Sequence, residues 1–261
     1  NSNGFTTVSF QLQTKAELQT AVDLWVSDKS SALSTYGEIN TWDVSLITDM
    51  SELFKDKSTF NDNISNWDVS SVTNMYRLFM NADDFSGDLS KWDVSSVTNM
   101  GSLFVDTKFN GDLSGWDVSN VTSFDSMFFS ANSINNNSLA NWDVSSTTNM
   151  RQMFYGASTF NGDISGWDVS SVTNMRVMFS QTAINQDLSN WDVSSVTSMW
   201  GMFERARQFD QDISSWDISS VTDMTSMFSR ANALSDANKC LIHTDFDNNS
   251  NWPYDWSGSC D

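Results

Sequence analysis

The sequence predicts the α/β class: a right-handed solenoid of eight units, each of about 25 residues, built as a short strand, a turn and a short helix, with a cap at each end. Three observations predict it. First, a Trp-Asp step followed by Val or Ile and then Ser recurs at Trp42, Trp67, Trp92, Trp116, Trp142, Trp167, Trp191 and Trp216. Second, twelve residues after each Trp stands a Phe, from Phe54 and Phe79 to Phe203 and Phe228, and unit length varies only between that Phe and the next Trp. Insertions gather in loops, so the Trp-to-Phe segment is the structured part. Third, eight of eight units place Asp, Asn or Ser before the first apolar residue of the second half, at Asp49, Asn74, Asn99, Ser123, Asn149, Asn174, Ser198 and Asp223. These are preferred helix N-caps.

The elements follow in order, with boundaries at 1–39, 40–233 and 234–261. In the N-terminal cap, residues Phe5 to Leu12 read as a strand. Thr14-Lys15-Ala16-Glu17 is a capping box that opens a helix with Leu18, Val22 and Trp25 on one face. Within each unit, Trp67 and Val69 alternate with Asp68 and Ser70, the period of a strand with one buried face. Met75, Leu78, Phe79 and Ala82 then sit at i, i+3, i+4 and i+7, the stripe of a short amphipathic helix. The recurring Met residues on that stripe are packing. One such unit cannot bury its own apolar face, so units must stack. A WD-type propeller is rejected because each of its blades needs about 40–45 residues. In the C-terminal cap, Ser235 caps a helix carrying Ala237, Leu241 and Ile242, and Trp252-Pro253-Tyr254-Asp255-Trp256 adds apolar surface. Cys240 and Cys260, confined to this end, are expected to form a disulfide and to indicate an oxidising compartment.

The unit Ile64-x-x-Trp67-x-Val69-Ser70-Ser71-Val72-Thr73-x-Met75-x-x-Leu78-Phe79-x-x-Ala82-x-x-Phe85 resembles the leucine-rich repeats of BspA-like surface proteins. It is closer still to the 26-residue repeat of bacterial surface lipoproteins, with its W-D-V-S-S-V-T-N-M signature. The resemblance covers about residues 40–233. It implies a leucine-rich-repeat-like fold, surface or secreted placement, and roles in adhesion and host or matrix contact. It supplies no catalytic residues. No lipoprotein cysteine or sorting signal stands in the sequence, so no anchor is carried over.

Charge narrows the partners. With 33 acidic against 13 basic residues, the formal net charge is −20, which disfavours nucleic acid and anionic membrane surfaces. No apolar run is long enough to span a membrane. The chain opens Asn1-Ser2-Asn3-Gly4 without a basic and apolar leader, as a mature or trimmed secreted protein would and as a cytosolic one would equally. No triad, zinc set or phosphate loop appears, and the lone His243 reads as structural. The expectation is a non-catalytic protein.

Two columns invite chemistry. The Asp after each Trp (Asp43, Asp68, Asp93, Asp117, Asp143, Asp168, Asp192, Asp217) would stack against its equivalents, and like charges ~4.8 Å apart repel by roughly 0.9 kcal/mol in water. Two readings of the column are open. Each carboxylate accepts hydrogen bonds from the Ser two residues on and from turn N–H groups, or calcium neutralises Asp68, Asp93, Asp117, Asp143, Asp168 and Asp192. A second column, Asn63, Asp88, Asp112, Asp163, Asp187 and Asp212, reads as turn geometry. Variation between units concentrates on the outer face of the expected helix, at Tyr76, Arg77, Met80, Val105, Phe129, Arg151, Tyr155, Arg176 and Trp200. Such a stripe is a candidate binding surface. Four sequons (Asn63, Asn120, Asn136, Asn248) offer glycan sites.

The function expected from these features is a secreted or cell-surface adhesion module that binds protein or polysaccharide and needs no cofactor, with a second copy of the chain as a further candidate partner. One alternative is a structural subunit of an extracellular filament or coat. Another is a crystal-surface (ice) binder using the Thr48-to-Thr222 column.

Overall fold

The computed structural model describes residues 10–134 and 137–260. Its helices lie at the two ends: α1 (Lys15–Ser27), α2 (Lys29–Tyr36) and α3 (Asp236–Phe246), with short 3-10 turns at Ile39–Thr41, Asn137–Leu139 and Ser257–Ser259. Between the caps, the described residues of the eight units form no α-helix and no β-strand. The expected α/β leucine-rich-repeat solenoid, with a strand and a helix in every unit, is therefore overturned.

What replaces it is a stack of turns. The half of each unit expected to be helical is a chain of consecutive β-turns: Leu53 N–H bonds Met50 C=O, Lys55 bonds Glu52, and Lys57 bonds Phe54, at 3.1–3.3 Å. Glu52 and Asp56 hold φ of 61° and 60° at the third turn position, and every later unit repeats this pair of left-handed residues. No α-helix passes through such residues. The N–H groups that a helix would use internally point instead to the next unit. Glu52, Phe54 and Asp56 donate to the carbonyls of Tyr76, Leu78 and Met80 at 2.9 Å, and the pattern continues down the stack. At two sites the left-handed residue is glycine, Gly156 (φ 71°) and Gly201 (φ 60°), where no Cβ opposes the conformation.

The expected strand is likewise reduced to one parallel bridge per junction. It falls on the residues read as N-caps, in the series Asp49–Asn74–Asn99–Ser123–Asn149–Asn174–Ser198–Asp223, and not on the Trp-Asp-Val step. Thr73 N–H to Thr48 C=O (2.8 Å) and Met50 N–H to Asn74 C=O (3.0 Å) flank the first bridge. The N-cap residues still do cap chemistry. Asp49, Asn74, Asn99, Asn149, Asn174 and Asp223 accept the N–H two residues on, at 2.8–3.1 Å.

The core is aromatic columns. The eight Trp residues of the Trp-Asp steps are buried, and from Trp67 to Trp216 each of their indole N–H groups donates to a carbonyl of the preceding segment, such as Trp142 to Leu113 at 3.1 Å. A buried indole needs such a partner. Phe54, Phe79, Phe104, Phe128, Phe154, Phe179, Phe203 and Phe228 stack with centroids 5.4–5.9 Å apart. The Met column and Val69 with its equivalents fill the space between.

The caps meet the ends of this ladder. In α1 the Thr14 capping box forms, and Leu18, Ala21, Val22 and Trp25 are buried. Gln19 Nε2 donates to Leu53 C=O (3.1 Å), an acceptor that in later units serves the preceding unit. Of the strand expected from Phe5 to Leu12, residues 5–9 lie outside the described residues, and Gln11 makes a single bridge to Asp43. At the other end Ser235 caps α3, and Asp210 accepts from the Ser235 N–H, its hydroxyl and the Asn238 amide at 2.8 Å each. Trp252, Tyr254 and Trp256 cover Phe228, and Cys240 is joined to Cys260.

Candidate binding surfaces

Three surfaces run the length of the stack. The first carries the Asp column. Each of these carboxylates accepts the N–H of the Ser two residues on, and from Asp43 to Asp192 it accepts that hydroxyl at 2.6 Å: Asp43 with Ser45, Asp68 with Ser70, Asp93 with Ser95, Asp117 with Ser119, Asp143 with Ser145, Asp168 with Ser170 and Asp192 with Ser194. Asp217 accepts the Ser219 N–H at 3.0 Å. The hydroxyl first, and the N–H second, hold Asp43, Asp93, Asp117, Asp168, Asp192 and Asp217 below the ordinary carboxylate value. The next Asp along pushes Asp93, Asp168 and Asp192 part of the way back. The hydrogen-bonding reading of the column is thus realised residue by residue. Among the described residues, no three acidic, His or Cys side chains gather as a metal's ligand set. The second column makes the same turn: Asn63, Asp88, Asp112, Asp163, Asp187 and Asp212 accept from the Ser two residues on at 2.9–3.1 Å.

Beside the Asp column lies an exposed row of threonines, from Thr48 to Thr222. From Thr73 onward each hydroxyl donates to the carbonyl of the preceding Thr at 3.1–3.3 Å, which fixes the side chain.

The third surface is the turn edge, where the variable stripe lies. The structure groups its residues into pairs across neighbouring units. Arg77 lies 4.7 Å over the Tyr76 ring and bonds Glu52, in a space that Gly101 leaves open for the tyrosine. Phe129 stacks on Tyr155 at 4.8 Å, and Arg176 lies 4.8 Å over Trp200. Arg151 is exposed and pairs with Asp125 at 3.5 Å. Met80 is half-buried, and Val105 is buried at 6% exposure, so Val105 drops out of the surface.

The stripe missed the charges two and four residues past the Phe column. Asp56, Asn81, Asp106, Ser130, Gly156, Gln181, Arg205 and Arg230 occupy one left-handed position in successive units. The loop beyond is one residue short in two units: Phe104 to Phe109 and Phe179 to Ile184 span five residues where other units span six. In both, Thr replaces Ala, and its hydroxyl bonds the Phe carbonyl and accepts a later N–H (Thr107 and Thr182). Each short loop opens a notch. The first, about 710 Å³, is lined by Asp56, Asp83, Asp106 and Lys108 among others. The second, about 310 Å³, is lined by Gln181, Thr182, Arg205, Arg207 and Gln208 among others. Desolvation in the first notch, with the Asp83 charge adding to it, holds the Asp106 carboxyl above its ordinary value despite the Ser130 hydrogen bond.

His243, in α3, accepts the Trp252 indole N–H at 3.2 Å. That is a packing role. No helix of the described residues is long and apolar enough to cross a membrane.

Stacked turn units, three side-chain-to-backbone turn columns and closed ends define a tandem-repeat protein whose variable residues sit on one edge. The chain belongs to the DUF285 family, described as Mycoplasma protein of unknown function, whose model matches residues 24–139 and 129–240. No curated protein and no solved structure matches it.

Proposed function

We propose that the chain is a non-catalytic adhesion module, secreted or displayed at a cell surface, that binds protein or polysaccharide through its turn edge. The observation that carries this reading is the Phe129–Tyr155 and Arg176–Trp200 pairs. The columns shared by every unit are engaged in holding the fold, whereas these half-exposed rings serve no backbone requirement, and aromatic and Arg side chains are the residues most enriched at recognition surfaces. The resemblance of the repeat to BspA-like surface repeats supports surface placement, as does the Cys240–Cys260 disulfide.

The experiment is binding of the full chain to a panel of immobilised polysaccharides and matrix proteins, with Tyr155→Ala and Trp200→Ala. Capture by one ligand class that both variants weaken by about tenfold or more, with melting unchanged, is the expected result. Capture that is indifferent to both variants would move the site off this edge.

The fixed threonine row favours a second reading, a binder of a crystal surface such as ice. Seven successive hydroxyls locked to the preceding carbonyl present a regular array. Thermal hysteresis that disappears in Thr122→Tyr would favour it. Absence of hysteresis in the unaltered chain would end it.

A further inference from the structure

Charge along the turn edge is graded from one end of the stack to the other. The first three units place Asp56, Asp83 and Asp106 on it, all exposed. The cations near them are already engaged: Lys55 and Arg77 with Glu52, Lys57 with Asp23, Lys108 with Asp84. The middle units place neutral groups there (Ser130, Gly156, Gln181). The last two place Arg205, Arg207 and Arg230. Arg205 lies 3.7 Å from Glu204, and its Nε has no hydrogen-bond partner. Among the described residues, Arg207 and Arg230 are exposed and make no ion pair. The two loop-shortened units fall symmetrically in this gradient, one opening the acidic notch and the other the basic notch.

We propose that two copies of the chain associate edge to edge and antiparallel, with Arg205, Arg207 and Arg230 of each copy against Asp56, Asp83 and Asp106 of the other. An edge that runs from acidic to basic is complementary to itself only when reversed. A two-fold axis at the neutral middle units satisfies both ends at once, the isologous arrangement. A free polyanion is a poorer occupant, because the acidic end of the same edge and the net charge of −20 repel it. Repulsion between the two copies as wholes is damped beyond about 8 Å at physiological salt, while the facing groups lie within that distance. The dimer competes with the adhesion reading, because its axis lies beside Phe129 and Tyr155, where Gln181 Nε2 donates to the Tyr155 hydroxyl at 2.7 Å; the two fail separately, since the readout here is mass and the charged variants leave the aromatic pairs intact.

The test is sedimentation of the full chain and of two charge-reversed forms. One is R207E/R230E, which keeps Arg205 and makes the formerly basic end net acidic; the other is D83R/D106R, which keeps Asp56 and makes the formerly acidic end net basic. The unaltered chain should dimerise, and each reversed form alone should associate about a hundredfold more weakly or remain monomeric, with melting retained. An equimolar mixture of the two reversed forms should recover dimers, because acidic and basic edges then meet at both ends. Dimers that persist in either reversed form alone would overturn the proposal. So would an unaltered chain that is monomeric throughout, including one whose Arg207 and Arg230 capture a sulfated polysaccharide instead.

Discussion

The phenol oxygen of Tyr254 accepts the backbone N–H of Phe228 at 2.8 Å. For the seven earlier residues of this Phe column, the same N–H donates to a carbonyl of the following unit. Tyr254 therefore stands in for a ninth unit, as Gln19 stands in for a unit before the first. Removing only the hydroxyl, in Tyr254→Phe, strands a buried donor and should cost about 1–3 kcal/mol in chemical denaturation. Exchange of the Phe228 amide should accelerate. Burial also holds the Tyr254 phenol above its ordinary value of 10.0. The neutral phenol is the form the fold prefers, so stability should decline as pH rises past that value, and the Phe variant should lack that decline. Unchanged stability in Tyr254→Phe would mean that the last unit closes by other means.

Trp142 tests the core. Its indole stacks between Trp116 and Trp167 at 6.5 and 6.4 Å and donates to Leu113 C=O. Trp142→Ala should cost about 3–5 kcal/mol. Trp142→Phe keeps much of the packing and loses the donor, so it should cost less than Ala but more than nothing. A loss under about 1 kcal/mol for Ala would place the indole outside the core.

The Asp column gives a pH signature. The carboxylates of Asp93, Asp117, Asp168 and their shifted equivalents titrate below the ordinary aspartate value of 3.8 in the folded chain. Groups of that sign support the fold above the unfolded value and lose their contribution as pH falls through it towards the folded one. Melting should be flat above that range and fall steeply below it. Asp106, shifted the other way, works against this trend. Since the serines already satisfy the column, a calcium chelator at neutral pH should leave melting unchanged. A clear drop on chelation would restore the calcium reading.

The C-terminal disulfide spans 20 residues, and closing such a loop stabilises by about 3 kcal/mol in the chain-entropy model. Reduction should lower melting and expose Phe228 first, because the Trp252-to-Trp256 segment lies between Asn249 and Cys260. Tryptophan fluorescence that shifts before the main transition would report this. Reduction without effect on either readout would show that the cap packs unaided.

Repeat number, the buried Trp and Phe columns, both cap helices and the disulfide were legible in the sequence, because each rests on residue type and spacing alone. The class of secondary structure was not. Met75, Leu78, Phe79 and Ala82 are all buried, as a helix would bury them, but a run of turns with two left-handed residues returns side chains to the core at the same intervals. Asn74 and its equivalents misled for a related reason: an Asn accepting the N–H two residues on looks alike before a helix and before a turn. What separates these turns from a helix is the left-handed positions, where Gly156 and Gly201 alternate with Ser, Gln, Asp and Arg. Among such variable residues, two glycines carry little signal. α2 was also missed, although Asp28 caps it by accepting the Ser31 N–H, and the Ser31 and Ser30 hydroxyls hold the Asp28 carboxyl down to about 2. The charge gradient of the turn edge became visible only when the left-handed positions fixed which residues share a column.

That the units are turns tied between neighbours, and not helices, is tested most directly at Ser102, half-buried with φ of 56°. In a helix interior Gly is less stable than Ala by about 0.8–1 kcal/mol. In a left-handed turn position the order reverses, because a Cβ there costs roughly 1–2 kcal/mol. Ser102→Gly and Ser102→Ala should be compared by chemical denaturation at one pH. Turn units predict that the Gly form is the more stable, by about 1 kcal/mol after its greater unfolded-state freedom is set against the relieved strain. An Ala form more stable than the Gly form by a similar margin would contradict the stack of turns and reinstate a helix in every unit.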